Sequence, residues 1–222
     1  MKTILLTGGT GFLGPCLALK FLNDGVRIIF LARSKKDKSA TERVIEALRF
    51  TDQHFSWNQD MCEVIEGDVT EPLPRIKGID RIIHCAALLS FDERERGQIL
   101  KVNHEGTKNM LDFALRSNVP EFGYISTAYI FGDKREKGGK IFEDEFNCDQ
   151  KFFNSYEESK FLAEGAVRNK AREIKISIFR PSIVIGNSLT GLTSSFTGFY
   201  TVYRSLHSIK ERETKKTGKS IL

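Results

Sequence analysis

Tyr156 and Lys160 stand four residues apart in the run Tyr156-Glu-Glu-Ser-Lys160. On a helix that spacing sets a phenol and an ammonium one turn apart on the same face. A phenol next to a cation can pass a proton to or from a carbonyl oxygen near neutral pH. A charge about 4 Å from the phenol, at an effective dielectric near 20, is worth up to ~4 kcal/mol. This is expected to lower the tyrosine pKa from ~10 by up to about three units. Ser126 and Thr127 can supply a hydroxyl that holds the substrate oxygen. The Tyr–Lys spacing also arises by chance, so its weight comes from standing after a strand, where helix and sheet together form a cleft.

A second set of residues has the chemistry to hold a dinucleotide. Gly8, Gly11 and Gly14 follow the short apolar run Ile4 to Thr7 at spacings of three. Gly8 permits a tight turn, Gly11 lets the backbone approach a pyrophosphate, and Gly14 lets a helix pack close to the sheet. A helix from about Gly11 to Asn23 would then aim its unpaired N–H groups at the phosphates, with Thr10, Phe12 and Leu13 in the same turn. Pro15 is tolerated in the first helical turn, where its missing N–H would be unpaired anyway.

The next strand runs from Val26 and ends Leu31-Ala32-Arg33-Ser34-Lys35-Lys36, with no carboxylate and three cations. An acidic residue there would bond a ribose 2′-hydroxyl, whereas Arg33 can clasp a 2′-phosphate through its planar fork. NADP(H) is favoured over NAD(H). Asp68 is placed to accept from the adenine amino group, with Val69 beside the ring, or to act as an ordinary turn aspartate.

The elements that position these groups alternate. Strands are expected at Ile4–Thr7, from Val26, at Val64–Ile65, Arg81–Ala87, Phe122–Ser126 and Ile174–Phe179. Helices are expected at Thr41–Phe50, Val102–Ser117 and Ser155–Asn169. Such alternation implies an α/β fold, a Rossmann-type doubly wound parallel sheet. Residues 132–151, rich in charge and glycine, read as an exposed loop near the mouth of the site. Beyond Gly186 the pattern changes, and Phe196, Phe199, Tyr200 and Tyr203 have the spacing of a helix face that should pack against something. The expected division is 1–190 for the NADP-binding domain and 191–222 for the start of a substrate-binding region, short or missing its remainder, with a basic tail.

Bulk properties exclude several classes. At 222 residues and 40% hydrophobic the chain suits one large domain, or one domain and the start of another. No apolar run approaches the ~18 residues of a membrane span. Met1-Lys2-Thr3 leads straight into the first strand, without the pattern of a secretory signal. Cys16, Cys62, Cys85 and Cys148 are scattered without metal-ligand spacing. Cys16 and Cys85 read as inert core thiols, and a cytoplasmic compartment fits best. The net charge of +5 is local: residues 204–222 hold six cations against Glu211 and Glu213, a net of +4, leaving +1 elsewhere. This speaks for a solvated tail and against nucleic-acid binding.

As a set, these motifs resemble the extended short-chain dehydrogenase/reductase family. They are Thr7-Gly-x-x-Gly-x-x-Gly14, Asp68-Val69, His84-Cys-Ala-Ala87, Val102-Asn-x-x-Gly-Thr107, Ser126-Thr127, Tyr156-x-x-x-Lys160 and Arg180-Pro-Ser182. The resemblance, which covers nearly the whole chain to about residue 191, implies that Thr127, five residues before Gly132, is the catalytic Ser/Thr. It makes Tyr156 the acid/base, and Lys160 the group that lowers its pKa and binds the nicotinamide ribose. It has Ala86 and Ala87 line the cofactor and Pro181 to Ile183 flank the nicotinamide. Asn103 is either a structural or relay member or plainly part of a helix start. Tyr124 to Gly132, Arg180 to Gly191, and Leu31-Ala-Arg33 followed by Glu42-Arg43 resemble the thioester-reductase and fatty acyl-CoA reductase branch, within a family that also includes NAD-dependent epimerases and dehydratases.

The resemblance therefore implies an oxidoreductase moving hydride from NADPH to a carbonyl, an acyl thioester giving an aldehyde. The substrate is a small molecule, carried on CoA or an acyl carrier protein, with no metal and with a homodimer as the assembly weighed. Two other readings stay open: a nucleotide-sugar epimerase or dehydratase using the cofactor transiently, and a non-catalytic NADP-binding module.

Overall fold

The computed structural model describes residues 1–137, 140–196 and 198–217. Six strands form one parallel sheet: β1 (Thr3–Thr7), β2 (Arg27–Ala32), β3 (Cys62–Glu66), β4 (Arg81–His84), β5 (Glu121–Ile125) and β6 (Lys175–Phe179). Their order is β3-β2-β1-β4-β5-β6. The order reverses between β1 and β4, and such a switch point opens a crevice at the carboxyl ends of the strands.

Alternation along the strands builds two cores. Ile4, Leu6, Ile28 and Phe30 pack on one face with Ala18, Val44 and Leu48 from α1 (Gly14–Asn23) and α2 (Ala40–Thr51). Leu5, Ile29, Leu31 and Ile82 face the other side. They meet Met110, Leu111 and Phe113 of α4 (Gly106–Arg116) and Ala163 and Val167 of α5 (Ser155–Asn169). With both faces covered, the strands read as continuous apolar runs.

Several boundaries differ from the expectation. The first helix begins at Gly14, not near Gly11, because residues 8–13 form the turn itself. β4 stops at His84, leaving Cys85 to Ala87 as loop. The stretch expected as one helix from Val102 opens as a π-helical turn, Lys101–Glu105, between the short α3 (Arg96–Leu100) and α4. Cys16 is exposed rather than in the core, whereas Cys62 is buried. Apolar neighbours in sequence point to other faces of a helix, so they do not bury the residue between them.

The segment expected as an exposed loop from residue 132 begins inside a 3₁₀ stretch, Ala128–Lys137, which kinks at a buried Gly132. The Gln150 side chain donates to the carbonyls of Ile130 and Phe146, at 2.9 and 3.1 Å.

The chain divides into two compact units, residues 1–182 and 183–222. In the second, α6 (Phe199–Thr217) takes up most of the basic stretch expected as a tail. Tyr200 packs on Phe196 and Phe199, and its hydroxyl accepts from Gly186 N at 2.7 Å. Phe196, Phe199 and Tyr203 themselves stay exposed, so the expected packing of that face is met only at Tyr200. Among the described residues no helix is long and apolar enough to cross a membrane.

Candidate active site and dinucleotide cleft

The glycine turn is wound tightly between β1 and α1. Gly8 has φ +74°, and a Cβ there would lie 2.8 Å from Ala86 N. A Cβ on Gly14 would lie 2.1 Å from the Gly8 carbonyl oxygen, so only glycine lets the helix start this close to the turn. No side chain caps the first turn of α1, in contrast to α2, where Ser39 and Glu42 form a reciprocal capping box. The amide ends of α1 are thus left for an anion, and the bare glycine cradle fits a pyrophosphate. Thr10, Phe12 and Leu13 lie partly exposed in this turn, with Ala86 half-buried and Ala87 exposed across from it after β4.

At the far end of the cleft Arg33 and Asp68, expected to take different parts of the nucleotide, bond to each other. Arg33 Nη1 donates to Asp68 Oδ2 at 2.7 Å. Burial opposes the charge on Asp68, but bonds from Thr70 N and Arg33 outweigh it and hold the carboxyl below its usual range. Val69 is buried against Gly106 in the core, not at an exposed ring-stacking position, and its carbonyl accepts from Asn109 at 3.0 Å. Arg43 of α2 is the residue that site reasoning passed over. Its guanidinium donates to the Arg33 carbonyl and reaches Thr10 Oγ1 at 3.4 Å, linking the glycine turn to the end of β2. Its signal in the sequence was a cation ten residues after Arg33, one turn into an amphipathic helix.

Tyr156 and Lys160 lie on α5, whose start is pinned from two sides. Asn154 Oδ1 accepts from Glu157 N at 3.0 Å, and Ser155 N donates to Glu93 at 2.8 Å. Phe91 meets the Tyr156 ring edge to face, centroids 6.0 Å apart. Lys160 is buried at 2% exposure. Its Nζ donates to the Ile125 carbonyl at 2.7 Å and lies 4.3 Å from the Tyr124 ring centroid.

The expected drop in the Tyr156 pKa is overturned. Burial, with the neighbouring Cys85 thiol, pushes the phenol up to about 12. Lys160 is itself pushed down to about 7 by burial, against the opposing pull of Cys85 and Glu164. The surface-like dielectric behind the expectation counted attraction and left out desolvation, which disfavours both charges.

Thr127 is buried at the end of β5. Its hydroxyl accepts from Tyr129 N at 3.2 Å and stands 3.5 Å from the Pro181 carbonyl, which also accepts from Ala128 N at 3.0 Å. Pro181 is thereby joined to Thr127. Ile183 is the first residue of the second unit.

Four buried polar residues, Thr7, His84, Asn103 and Thr107, brace these loops. The Thr107 hydroxyl donates to the Asn103 carbonyl at 2.6 Å, so it accepts from His84 Nε2, 3.1 Å away. His84 Nδ1 in turn accepts from the Thr7 hydroxyl at 2.8 Å, and Thr7 Oγ1 takes the amides of Cys85 and Ala86. The imidazole is therefore neutral with its proton on Nε2; burial, then the Lys160 charge, lower its pKa to about 3. Asn103 is 1% exposed and clamps Leu88 through both its N–H and its carbonyl, at 2.7 and 3.0 Å, while also donating to Ser159 Oγ at 2.9 Å. These bonds join the Leu88 loop to α5 through Asn103.

The chain is similar in sequence and fold to several known proteins. A fatty acyl-CoA reductase, wat, of Drosophila melanogaster is 27% identical over 225 residues, covering 83% of this chain and 43% of the fly protein. The thiolation-reductase di-domain of an archaeal non-ribosomal peptide synthetase superposes with a TM-score of 0.77 at 27% identity, covering 95% of this chain and 59% of that one. The terminal R domain of the myxalamid PKS-NRPS pathway gives 0.73 at 28% identity, with 87% and 52% covered. The chain spans about half the length of these relatives. Residues 6–220 match the NAD-binding family described as male sterility protein, and the chain belongs to that family.

Proposed function

We propose that this chain is the dinucleotide-binding and catalytic part of an NADPH-dependent reductase that converts an acyl thioester to an aldehyde. The observation that carries the reading is the placement of Tyr156 one turn from a buried Lys160 that is bonded to β5, the strand leading into Thr127. Gly8, Thr10, Gly11, Phe12, Leu13, Ala86 and Ala87 would hold the pyrophosphate and ribose side. Arg33, with Arg43 behind it, would meet a 2′-phosphate, and Asp68 the adenosine end. Pro181 would flank the nicotinamide. Bound NADPH supplies the hydride.

Thr127 and Tyr156 would hold the carbonyl oxygen, and Tyr156 would donate its proton as negative charge develops there. A phenol held near pKa 12 keeps that proton at neutral pH, which suits reduction more than oxidation. The resulting hemithioacetal would release its thiol and leave the aldehyde. Relatives named as a fatty acyl-CoA reductase and a thiolation-reductase di-domain support CoA or an acyl carrier protein as the thiol. A nucleotide-sugar epimerase would use the same fold with NAD(H), but the cations at the end of β2 favour a 2′-phosphate.

The test is NADPH oxidation by the purified chain with a panel of acyl-CoA and acyl carrier thioesters, with aldehyde identified by mass. No oxidation with any thioester, together with conversion of a nucleotide-sugar, would overturn the reading in favour of the epimerase.

A further inference from the structure

Glu164 sits one turn beyond Lys160 on α5 and is fully buried. Four bonds converge on its carboxylate. Ser126 Oγ donates to Oε2 at 2.7 Å, Arg180 Nε to Oε2 at 3.1 Å, Arg180 Nη2 to Oε1 at 2.6 Å and Arg168 Nε to Oε1 at 2.8 Å. Burial works against the charge, but these bonds outweigh it and hold the carboxyl below its usual range.

Arg180 also donates to the carbonyls of Glu143 and Glu145, at 3.2 and 2.7 Å, and lies over the Phe131 ring at 4.8 Å. The neighbouring Phe146 stacks on Phe161 of α5 at 4.4 Å, with the Arg168 guanidinium 5.0 Å from its ring. One carboxylate thus ties together the ends of β5 and β6, the 142–146 segment and the helix bearing Tyr156 and Lys160.

Apolar side chains could fill this space at less desolvation cost, so the network is weak evidence for stability. What it adds is direction, since hydrogen bonds fix a register that dispersion contacts do not. Ser126 precedes Thr127, and Arg180 precedes Pro181, whose carbonyl accepts from Ala128 and lies beside the Thr127 hydroxyl.

We propose that Glu164 and Arg180 are positioning residues that hold the Thr127 hydroxyl in register with Tyr156 and fasten the 142–146 segment to the same helix. The proposal rests on the reductase reading for its kinetic consequence, though not for its geometry. Neither residue touches the reacting atoms.

Ser126→Ala deletes one donor to Glu164 and spares Thr127, Glu164→Gln removes the charge at constant shape, and Arg180→Lys keeps charge without the fork. With an acyl thioester, Ser126→Ala and Glu164→Gln are expected to lower kcat by about 10²-fold while the KM for NADPH moves less than about twofold. Arg180→Lys should fall between the parent and Arg180→Ala. Unchanged kcat in Ser126→Ala, or a KM for NADPH that rises as much as kcat falls, would overturn the proposal. Should Glu164→Gln not fold, Ser126→Ala decides alone. Should the parent reduce no thioester, the reductase reading has failed, and hydrogen exchange decides instead. Faster exchange of the Ala128 and Glu145 amides in Ser126→Ala than in the parent supports the clamp, and equal exchange sinks it.

Discussion

The Lys160 ammonium donates to the Ile125 carbonyl, 2.7 Å away, from a position with 2% of its surface exposed. One carbonyl and one aromatic face replace a full hydration shell, which is why its pKa falls to about 7. Between pH 7 and about 10.4 the folded chain binds fewer protons here than the unfolded chain, so this group makes stability rise with pH across that window. Lys160→Met, similar in volume and uncharged, is therefore expected to stabilise the protein at pH 6 by on the order of 2–5 kcal/mol. The gain should shrink by pH 10 as turnover is lost at every pH. Urea denaturation at the two pH values checks it, and a variant less stable than the parent at pH 6 contradicts the account.

Tyr156→Phe removes the proposed proton donor and keeps the ring that packs against Phe91. Turnover is expected to fall by about 10²- to 10⁴-fold, with NADPH affinity unchanged. Steady-state kinetics and calorimetric titration with NADPH separate the two. A fall in affinity matching the fall in rate would show that the phenol serves binding.

The order of strands and helices could be read in advance because β1 and β2 bury both faces and the glycine turn admits few alternatives. The Tyr156–Lys160 pair was visible for the same reason: it depends only on helical spacing. Contacts across the fold were not. Arg33 and Asp68 lie on separate strand ends, and nothing in either local pattern says they meet. Glu164 falls within an expected helix and Arg180 within a motif, and neither local pattern pairs them; the full burial of Glu164 emerges only when β5 and β6 end side by side. The direction of the Tyr156 shift was missed because helical spacing carries no measure of desolvation.

Arg33 is expected to determine the choice of coenzyme. A charge-assisted bond to a 2′-phosphate is worth about 1.5–3 kcal/mol, so Arg33→Ala should raise the KM for NADPH by about 10- to 100-fold. The KM for NADH should stay nearly constant. Arg43→Ala should have a smaller effect of the same sign, since its guanidinium already donates to the Arg33 carbonyl. Asp68→Asn releases Arg33 from its ion pair and tests whether that pair orients or competes: tighter NADPH binding means competition, weaker binding means orientation. Equal losses for NADPH and NADH in Arg33→Ala would show that the 2′-phosphate is not its partner.

His84 makes the fold sensitive to acid. Its imidazole is fully buried, neutral and committed at both nitrogens, to Thr7 and Thr107. Protonation would place a second donor on Nδ1 against a hydroxyl whose lone pairs already accept the Cys85 and Ala86 amides. With a folded pKa of about 3 against about 6.5 unfolded, the unfolded state binds the extra proton throughout that interval. Stability due to this residue is thus complete above pH 6.5 and falls by about 1.4 kcal/mol per unit as pH drops below it. Asp68 and Glu164, whose carboxyls are held low, add their own losses further down the scale. The difference between parent and His84→Asn isolates the imidazole: the variant should begin less stable at pH 7 yet lose less stability between pH 6.5 and 4.5. Parallel pH profiles from urea denaturation would mean that the His84 site relaxes to admit the proton.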